Sequence, residues 1–504
     1  MKTDISHRHE QNTYILHRPR RFRLYRLLCM LAFTCTSFPA TYFSARAQAV
    51  YLEDALRYAR PNGMTAPRAG ALGIAYSGIA DDFAALYVNP AGLTMLPLAE
   101  FSASGQFNSY NGTVTHFGTT MSSNRTSGFL GHIGIVLPVR LGDAGNYSIA
   151  IGYTRESDFT GGDTISGFNT ASSLINTWVT RQQAGNLNGN PAWELALADV
   201  VNNRFITPLR SNLQQEVGIR ERGALNTLSI GLGVDIIRNL SLGIAFIGTF
   251  GEYNYRRIFR ELDAQNRYTR LDTRNLTDID FRDMRMVEFI DQGLSGSRLV
   301  FGAQGRFGDN IRAGASFTLP LGFQATEQFS TSYNASFDNN ETRFFNPNDP
   351  SPMPIAFTMP WVLNVGASAH FSGLTVAGSA EISDMRLIRA RGSAIDATGV
   401  EQAANALLTT QLRAGVGIEY DIPNRPFVLR GSYSYFSSPY LQSATGGALS
   451  IFGLGGGYYL GANSRLDLTY RANLTNVNNL LYSGTGYTSE QVLHQLQAQY
   501  VIRF

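Results

Sequence analysis

From Leu412 to Asp421 the chain alternates without interruption. Arg413, Gly415, Gly417, Glu419 and Asp421 fall on one face, and Leu412, Ala414, Val416, Ile418 and Tyr420 fall on the other. Successive side chains of an extended strand point to opposite sides, so this pattern specifies a strand with one polar and one apolar face. The same split runs through Phe427–Tyr435, Arg465–Ala472 and Leu496–Phe504. In these segments the charges Arg413, Glu419, Asp421, Arg430, Arg465, Asp467, Arg471 and Arg503 all lie on one face, and the opposite face carries none.

Strands of this kind can bury their apolar faces in a sandwich or turn them outward to lipid in a closed barrel. Three features select the barrel. Gly and Ser crowd the polar face, Tyr and Phe gather on the apolar face near strand ends, and the runs extend about 10 to 15 residues, beyond the usual ~5–6 of a soluble strand. Alternating segments fall near 99–110, 128–138, 146–157, 224–238, 240–256, 297–307, 311–323, 361–372, 373–389, 409–422, 426–438, 446–461, 464–477 and 491–504. That is 14, the even number a single-chain bacterial barrel requires. The fold expected is therefore a 14-stranded antiparallel transmembrane β-barrel over residues 98–504. After residue 49 no run of 18 apolar residues occurs, which sets a helical membrane protein aside.

The connections alternate in length. Even-numbered strands leave through short turns such as Gly142–Gly145, Arg238-Asn239, Gly308–Asn310 and Phe371–Gly373, whereas odd-numbered strands leave through long loops, the largest at about 158–223. Short turns face the periplasm in such barrels, so both termini are expected there. The last strand ends with Tyr500, Ile502 and Phe504 on one face, a C-terminal aromatic pattern that resembles the signal read by the barrel-insertion machinery.

Residues 1–49 read as a secretory signal. Arg18, Arg20, Arg21, Arg23 and Arg26 form a basic front, Leu27–Phe38 a short apolar core, and Ala47-Gln48-Ala49 a small-residue cleavage site. Their removal takes away 8 of 41 basic and 2 of 38 acidic side chains, leaving 33 against 36, a formal charge of −3. A nucleic-acid-binding reading then has no basic surface to rest on. The only lysine, Lys2, and both cysteines, Cys29 and Cys35, leave with the signal, which removes thiol, Schiff-base and disulfide chemistry.

No phosphate loop, metalloprotease helix or Gly-x-Ser-x-Gly elbow is present, and Gly453–Gly457 lies within an alternating strand instead of opening a helix. The remaining histidines are His116, His132, His370 and His494, of which only His494 is expected on the lipid face. No enzyme activity, metal or cofactor is expected.

Residues 50–97 do not alternate. Tyr51–Ala59 and Asp81–Val88 look helical, with Asp81-Asp82 as an N-terminal cap and Asn89-Pro90 as a stop. The run Gly70–Asp82, followed by Asn89-Pro90-Ala91-Gly92-Leu93, resembles the N-terminal plug of the FadL family of outer-membrane hydrophobic-compound transporters. With the strand count and the terminal Phe, the resemblance covers the whole mature chain. It implies a barrel in the bacterial outer membrane whose lumen is closed by a hatch at 50–97. It implies a long-chain fatty acid or other apolar molecule as ligand, passed inward by diffusion and released through a gap in the wall. It places Asp81, Asp82, Asn89, Pro90, Ala91 and Gly92 in the hatch. Without lysine, any contact to a ligand carboxylate falls to arginine or to backbone donors. The inward candidates are Arg298, Arg306, Arg312, Arg413, Arg430, Arg471 and Arg503, most of them paired with lumen acids such as Glu381, Glu419, Asp421 and Asp467.

Within 158–223, Leu174, Ile175, Trp178 and Val179 share one helical face, and Asn190-Pro191 starts a second patch carrying Trp193, Leu195, Leu197, Val200 and Val201. The two patches either form an apolar landing groove around Trp178 and Trp193 or pack on each other as a lid. The polar, Arg/Asp-rich loops near 258–296 and 324–360 read as solvated surface. A different class of function on the same barrel is an accessory scaffold that holds a secreted protein at the cell surface.

Overall fold

The computed structural model describes residues 49–59, 66–140, 146–182, 185–273, 276–347, 351–393, 395–442 and 446–504. The signal segment and the turn at Gly142–Gly145 lie outside the described residues. Fourteen strands follow one another around a closed antiparallel barrel. They are β1 (Glu100–His116), β2 (Thr119–Arg140), β3 (Asn146–Asp158), β4 (Leu213–Ile237), β5 (Leu240–Leu262), β6 (Phe281–Phe307) and β7 (Ile311–Phe337). The circuit continues with β8 (Val362–Phe371), β9 (Leu374–Asp384), β10 (Thr410–Asp421), β11 (Phe427–Phe436), β12 (Gly446–Tyr459), β13 (Ser464–Tyr482) and β14 (Thr485–Arg503). Each pairs with its neighbours in sequence, and β14 closes on β1 from Glu100↔Arg503 to Thr115↔Thr488. Closure leaves no free sheet edge, which a strand structure in lipid requires.

The alternation sorts as the sequence indicates. On β10 Leu412, Val416 and Ile418 are 52–60% exposed, while Arg413 and Glu419 are buried. Outward residues of the other strands, among them Leu228, Ile230, Leu242, Ile244, Phe246 and Phe250, continue an apolar belt around the molecule. No helix among the described residues is long and apolar enough to cross a membrane.

Several strands run well past this belt, which corrects the expected loops. The connections drawn at 111–127 and 478–490 are strand, closed by the two-residue turns Phe117-Gly118 and Ser483-Gly484, so β1 and β13 do not leave through long loops. Likewise β5, β6 and β7 extend through 258–262, 281–296 and 324–337. There Phe259, Phe281, Met284, Met286 and Phe337 are buried. These segments are not simply solvated surface: the outward face beyond the belt turns polar (Glu252, Asn254, Arg256), while inward Phe259, Met284 and Phe337 join a buried core.

Among the described residues there are six helices: α1 (Ala49–Ala59), α2 (Pro67–Leu72), α3 (Ala85–Val88), α4 (Leu174–Thr180), α5 (Pro191–Glu194) and α6 (Ala397–Leu407). Residues 73–78 and 90–95 form 3₁₀ turns. The helix expected at Asp81–Val88 shortens to α3, and Asp82 Oδ1 accepts from the amide of Ala84 (2.9 Å) and the hydroxyl of Tyr76 (2.5 Å) in the turn before it. The second patch of the 158–223 loop is one turn, α5, capped by Asn190; Val200 and Val201 sit instead in a small hairpin, 199–201 with 204–206. α6 was not expected, although Val400, Ala403, Ala404 and Leu407 recur at helical spacing and its buried side packs with α1.

Candidate functional site

Residues 66–96 lie inside the barrel, and nearly all of them are buried. Glycines on the inward faces of many strands let this irregular segment approach the wall. A Cβ on Gly134 would lie 2.0 Å from the Phe83 ring, one on Gly243 2.3 Å from the Ala91 nitrogen, and one on Gly366 2.7 Å from Ser77 Oγ. Short turns leave backbone carbonyls without helical partners, and wall hydroxyls supply them. Thr469 donates to the Pro67 carbonyl (2.7 Å), Ser379 to Ile74 (2.5 Å) and Ser368 to Gly78 (2.8 Å).

One cation ties this segment to the wall. Arg68, at the first turn of α2, donates twice to Glu419 on β10 (2.8 Å each), to Asp82 (3.1 Å) and to Asp81. Glu419 also accepts from Arg430 (2.6 Å), which reaches Asp467 (2.7 Å), which accepts from Arg465 (2.9 Å). Asp81 accepts further from Arg312 on β7 (2.9 Å). Arg68 was not singled out from the sequence; its signal is a lone charge in the otherwise uncharged run 66–80.

The remaining expected hatch residues lie at the same seam. The amide of Asn89 donates to the Ala303 carbonyl (3.1 Å) and to Gln304 (3.0 Å), while Pro90 and Ala91 press on Gly233 and Gly243. At Gly92 a Cβ would fall 1.8 Å from the Ala80 carbonyl oxygen, so only glycine fits.

The arginines are distributed, not clustered. Arg298 pairs with Glu156 (2.6 Å), Arg306 with Asp235 (3.4 Å), Arg413 with Glu381 (2.8 Å) and Arg503 with Glu100 (2.9 Å). Asp421 takes no ion-pair partner among the described residues. Arg298, Arg413 and Arg471 border a cavity of about 240 Å³ between the luminal segment and α1. Its aromatic wall centres on Tyr58 of α1, which stacks on Phe323 at 5.2 Å and meets Phe159 and Phe357 edge-on at 6.0 and 6.1 Å. Tyr87, Ile74 and Val88 of the luminal segment form its opposite side. Of the histidines, His132 is buried between Ser102 and Ser104 and stacks on Phe83 at 5.1 Å. His494 meets the Tyr470 hydroxyl on the outward face.

The wall is interrupted beside this cavity. β7 pairs with β8 only over Ile311–Thr318 and with segment 353–358 over Phe323–Glu327. Between these ladders Leu319–Gly322 faces Met359–Trp361 without a pair, and each side carries a proline, Pro320 and Pro360, which has no N–H to donate. Thr318, Pro320, Gly322, Met359 and Pro360 all line the cavity. A second break lies between β2 and β3, whose ladder stops at His132↔Thr154 just before a bulge at Arg155–Ser157.

Beyond the belt, the long connections build a closed cap. α4 and α5 share one apolar core with Phe259, Phe281 and Met284. Trp178 meets Tyr333 edge-on at 5.5 Å and Trp193 meets Phe205 at 6.2 Å. Glu261, fully buried past the belt, receives the amides of Leu174 (2.7 Å) and Ile175 (3.3 Å) at the start of α4 and the side chain of Gln215 (2.8 Å). Burial pushes its carboxyl up to about 7, although these three donors favour the charged form. Gln215 also contacts Tyr482 and His116, and no cation lies in ion-pair reach of Glu261 among the described residues.

A carboxyl whose folded pKa is raised binds a proton that the unfolded chain has already released. Stability from this site is therefore full below the ordinary value near 4.5 and is lost as pH rises through about 7. The difference is on the order of 3 kcal/mol. Amide exchange over 174–180 is expected to be slower at pH 5.5 than at pH 8 beyond the intrinsic rate change, and Glu261→Gln should flatten the difference. A pH-independent protection in the unaltered chain would contradict this.

No family model matches the sequence, and no curated protein sequence matches it. The fold does have solved counterparts. The structure is similar to a FadL homologue of Pseudomonas aeruginosa, with TM-score 0.52 at 11% identity, over 86% of this chain and 98% of that one. It is also similar to a deltaS2 mutant of the TodX monoaromatic hydrocarbon channel, with TM-score 0.50 at 12% identity, over 84% and 94%. The 14-stranded barrel with short helices in its N-terminal region is thus the FadL-type fold.

Proposed function

We propose that the chain is a bacterial outer-membrane channel of FadL type that takes a compact, uncharged hydrophobic molecule into its lumen and passes it on by diffusion. The observation that carries this reading is the cavity walled by Tyr58, Phe323 and Val88, between α1 and the buried segment 66–96 and beside a break in the barrel wall. The FadL homologue and the monoaromatic hydrocarbon channel that share the fold support it. An apolar cavity of ~150 Å³ already holds benzene in another protein, so a volume of about 240 Å³ suits a single-ring compound better than an extended long-chain fatty acid. Arg298 and Arg413 are already neutralised by Glu156 and Glu381, and a fatty-acid carboxylate would have to displace one of these partners.

In this reading residues 66–96 are the hatch. Arg68, Asp81, Asp82 and Asn89 fasten it, while Pro90, Ala91 and Gly92 fit it to the wall. The cap faces outward and the short turns and both termini face the periplasm. Tyr500, Ile502 and Phe504 serve as the insertion signal. The ligand leaves sideways where Pro320 faces Pro360, since neither strand completes the ladder there.

The test is calorimetric titration of toluene and of laurate into the refolded barrel, with Thr318→Trp as the cavity-filling variant. Saturable toluene binding that the variant weakens about tenfold or more, equivalent to at least ~1.4 kcal/mol, is expected. No saturable binding, or equal binding by a correctly folded variant, would overturn the reading.

A further inference from the structure

A second recess, apart from the cavity beside Tyr58, opens at the other break in the wall. It is a groove of about 870 Å³ where β2 parts from β3 and where β4, β5 and β6 leave the apolar belt. Across it Ala224 opposes Glu252, which opposes Gly293, which opposes Thr326, so Ala224 and Gly293 leave room on either side of the Glu252 side chain. Phe250, at one margin, belongs to the outward apolar row with Phe246 and Ile244.

The groove is basic. Arg125, Arg155, Arg220 and Arg222 line it. Arg155 is engaged by Asp158 at 3.3 Å and lies over the Phe129 ring at 4.2 Å. Arg125, Arg220 and Arg222 have no carboxylate in ion-pair contact among the described residues. Moreover, Arg220 stands directly opposite Arg256 in the β4–β5 ladder, and both are exposed. Like charges facing each other across a ladder destabilise it unless an anion lies between them. Of the acids lining the groove, Glu221 accepts from the Tyr253 hydroxyl (2.6 Å), and Glu252 is the other.

We propose that this groove binds the net-anionic, phosphate-bearing headgroup of a membrane lipid in the leaflet at the cap end. Arginine forks match phosphate oxygens in pairs, and a basic recess at the margin of an apolar belt places them at headgroup depth. The acyl chains then lie along Phe250, Leu228 and Ile230. A soluble anion would gain the charge contacts but not this apolar row, and a zwitterionic lipid would gain the row but not the uncompensated charge.

The experiment is native mass spectrometry of the full barrel released from neutral detergent, after equilibration with lipid A, phosphatidylcholine or inorganic phosphate. Arg220→Gln/Arg222→Gln and Glu252→Gln are compared with the unaltered chain, and folding is checked by heat-modifiable migration in gels. One retained lipid A per barrel is expected, weakened about tenfold by the double variant and undiminished by Glu252→Gln. Retention unchanged by the double variant, equal retention of phosphatidylcholine, or binding of inorganic phosphate as tight as that of lipid A would each overturn the proposal. Should the double variant fail to fold, Arg125→Gln carries the same expectation on β2.

Discussion

Arg68→Met is expected to undock the luminal segment while leaving the barrel folded. The guanidinium is shared by Glu419, Asp82 and Asp81, all inside the lumen, and its loss leaves carboxylates there with too few partners. Breaking a buried ion pair by removing one member costs about 3–5 kcal/mol, far more than an exposed pair is worth. Limited chymotrypsin digestion is the measurement, with Tyr76, Phe83 and Tyr87 as the sites inside the luminal segment. Cleavage within 66–96 should accelerate by two orders of magnitude or more, given ~1.4 kcal/mol per decade, while heat-modifiable migration of the barrel persists. Adding Asp82→Asn should restore part of the protection, because Arg68 is the one cation in ion-pair contact with Asp82 among the described residues, whereas Glu419 keeps Arg430 and Asp81 keeps Arg312. Protection equal to the unaltered chain would show that the segment is held by packing alone.

A second large effect is expected where Phe83 meets the wall. Gly134 and Gly152 oppose each other across β2 and β3, and the Phe83 ring lies on both. A Cβ at either position would fall 2.0 or 2.3 Å from ring atoms. Gly134→Ala therefore has to push the ring away, at a cost of about 1–3 kcal/mol for overpacking. Phe83→Ala removes the ring from the core and costs about 3–5 kcal/mol. In the double variant the alanine at 134 occupies space the ring has vacated, so the combined loss should be clearly smaller than the sum. The midpoint of thermal release of the luminal segment, followed by protease protection, reads all three variants. Additive losses would contradict the contact on which this rests.

The barrel was legible in the sequence because lipid outside and water inside impose a period of two on every spanning residue. Leu412–Asp421 carries that pattern without interruption, and β10 follows it residue by residue. The full extent of β5 to β7 was not legible, since beyond the belt the outward positions turn polar and the hydropathy contrast that marks a strand weakens. Glu252, Asn254 and Arg256 resemble a loop in composition, yet they alternate with the inward Gly251, Tyr253 and Tyr255 in a continuous ladder. α6 was legible in principle from Val400, Ala403, Ala404 and Leu407, but its short, small-residue face is easily lost between strands.

The site was legible only in part. Asp81, Asp82 and Asn89-Pro90-Ala91-Gly92 stood out as a capped turn, and each of them does touch the wall or its own segment closely. Their partners could not be read, because they are set by barrel register: Arg68 meets Glu419 across 351 positions, and Asn89 meets Gln304 across 215. The proline break illustrates the same limit. Pro320 and Pro360 are plain in the sequence, but only the ladder shows that they face one another beside the cavity.

The most direct measurement is a crystal structure of the barrel soaked with 4-bromotoluene, read through the anomalous signal of bromine. The expected result is one bromine peak inside the barrel, within van der Waals reach of Tyr58, Phe323 and Val88. Bromine found only on the outer belt or in the cap core, with the luminal cavity empty at saturating ligand, would contradict the channel reading.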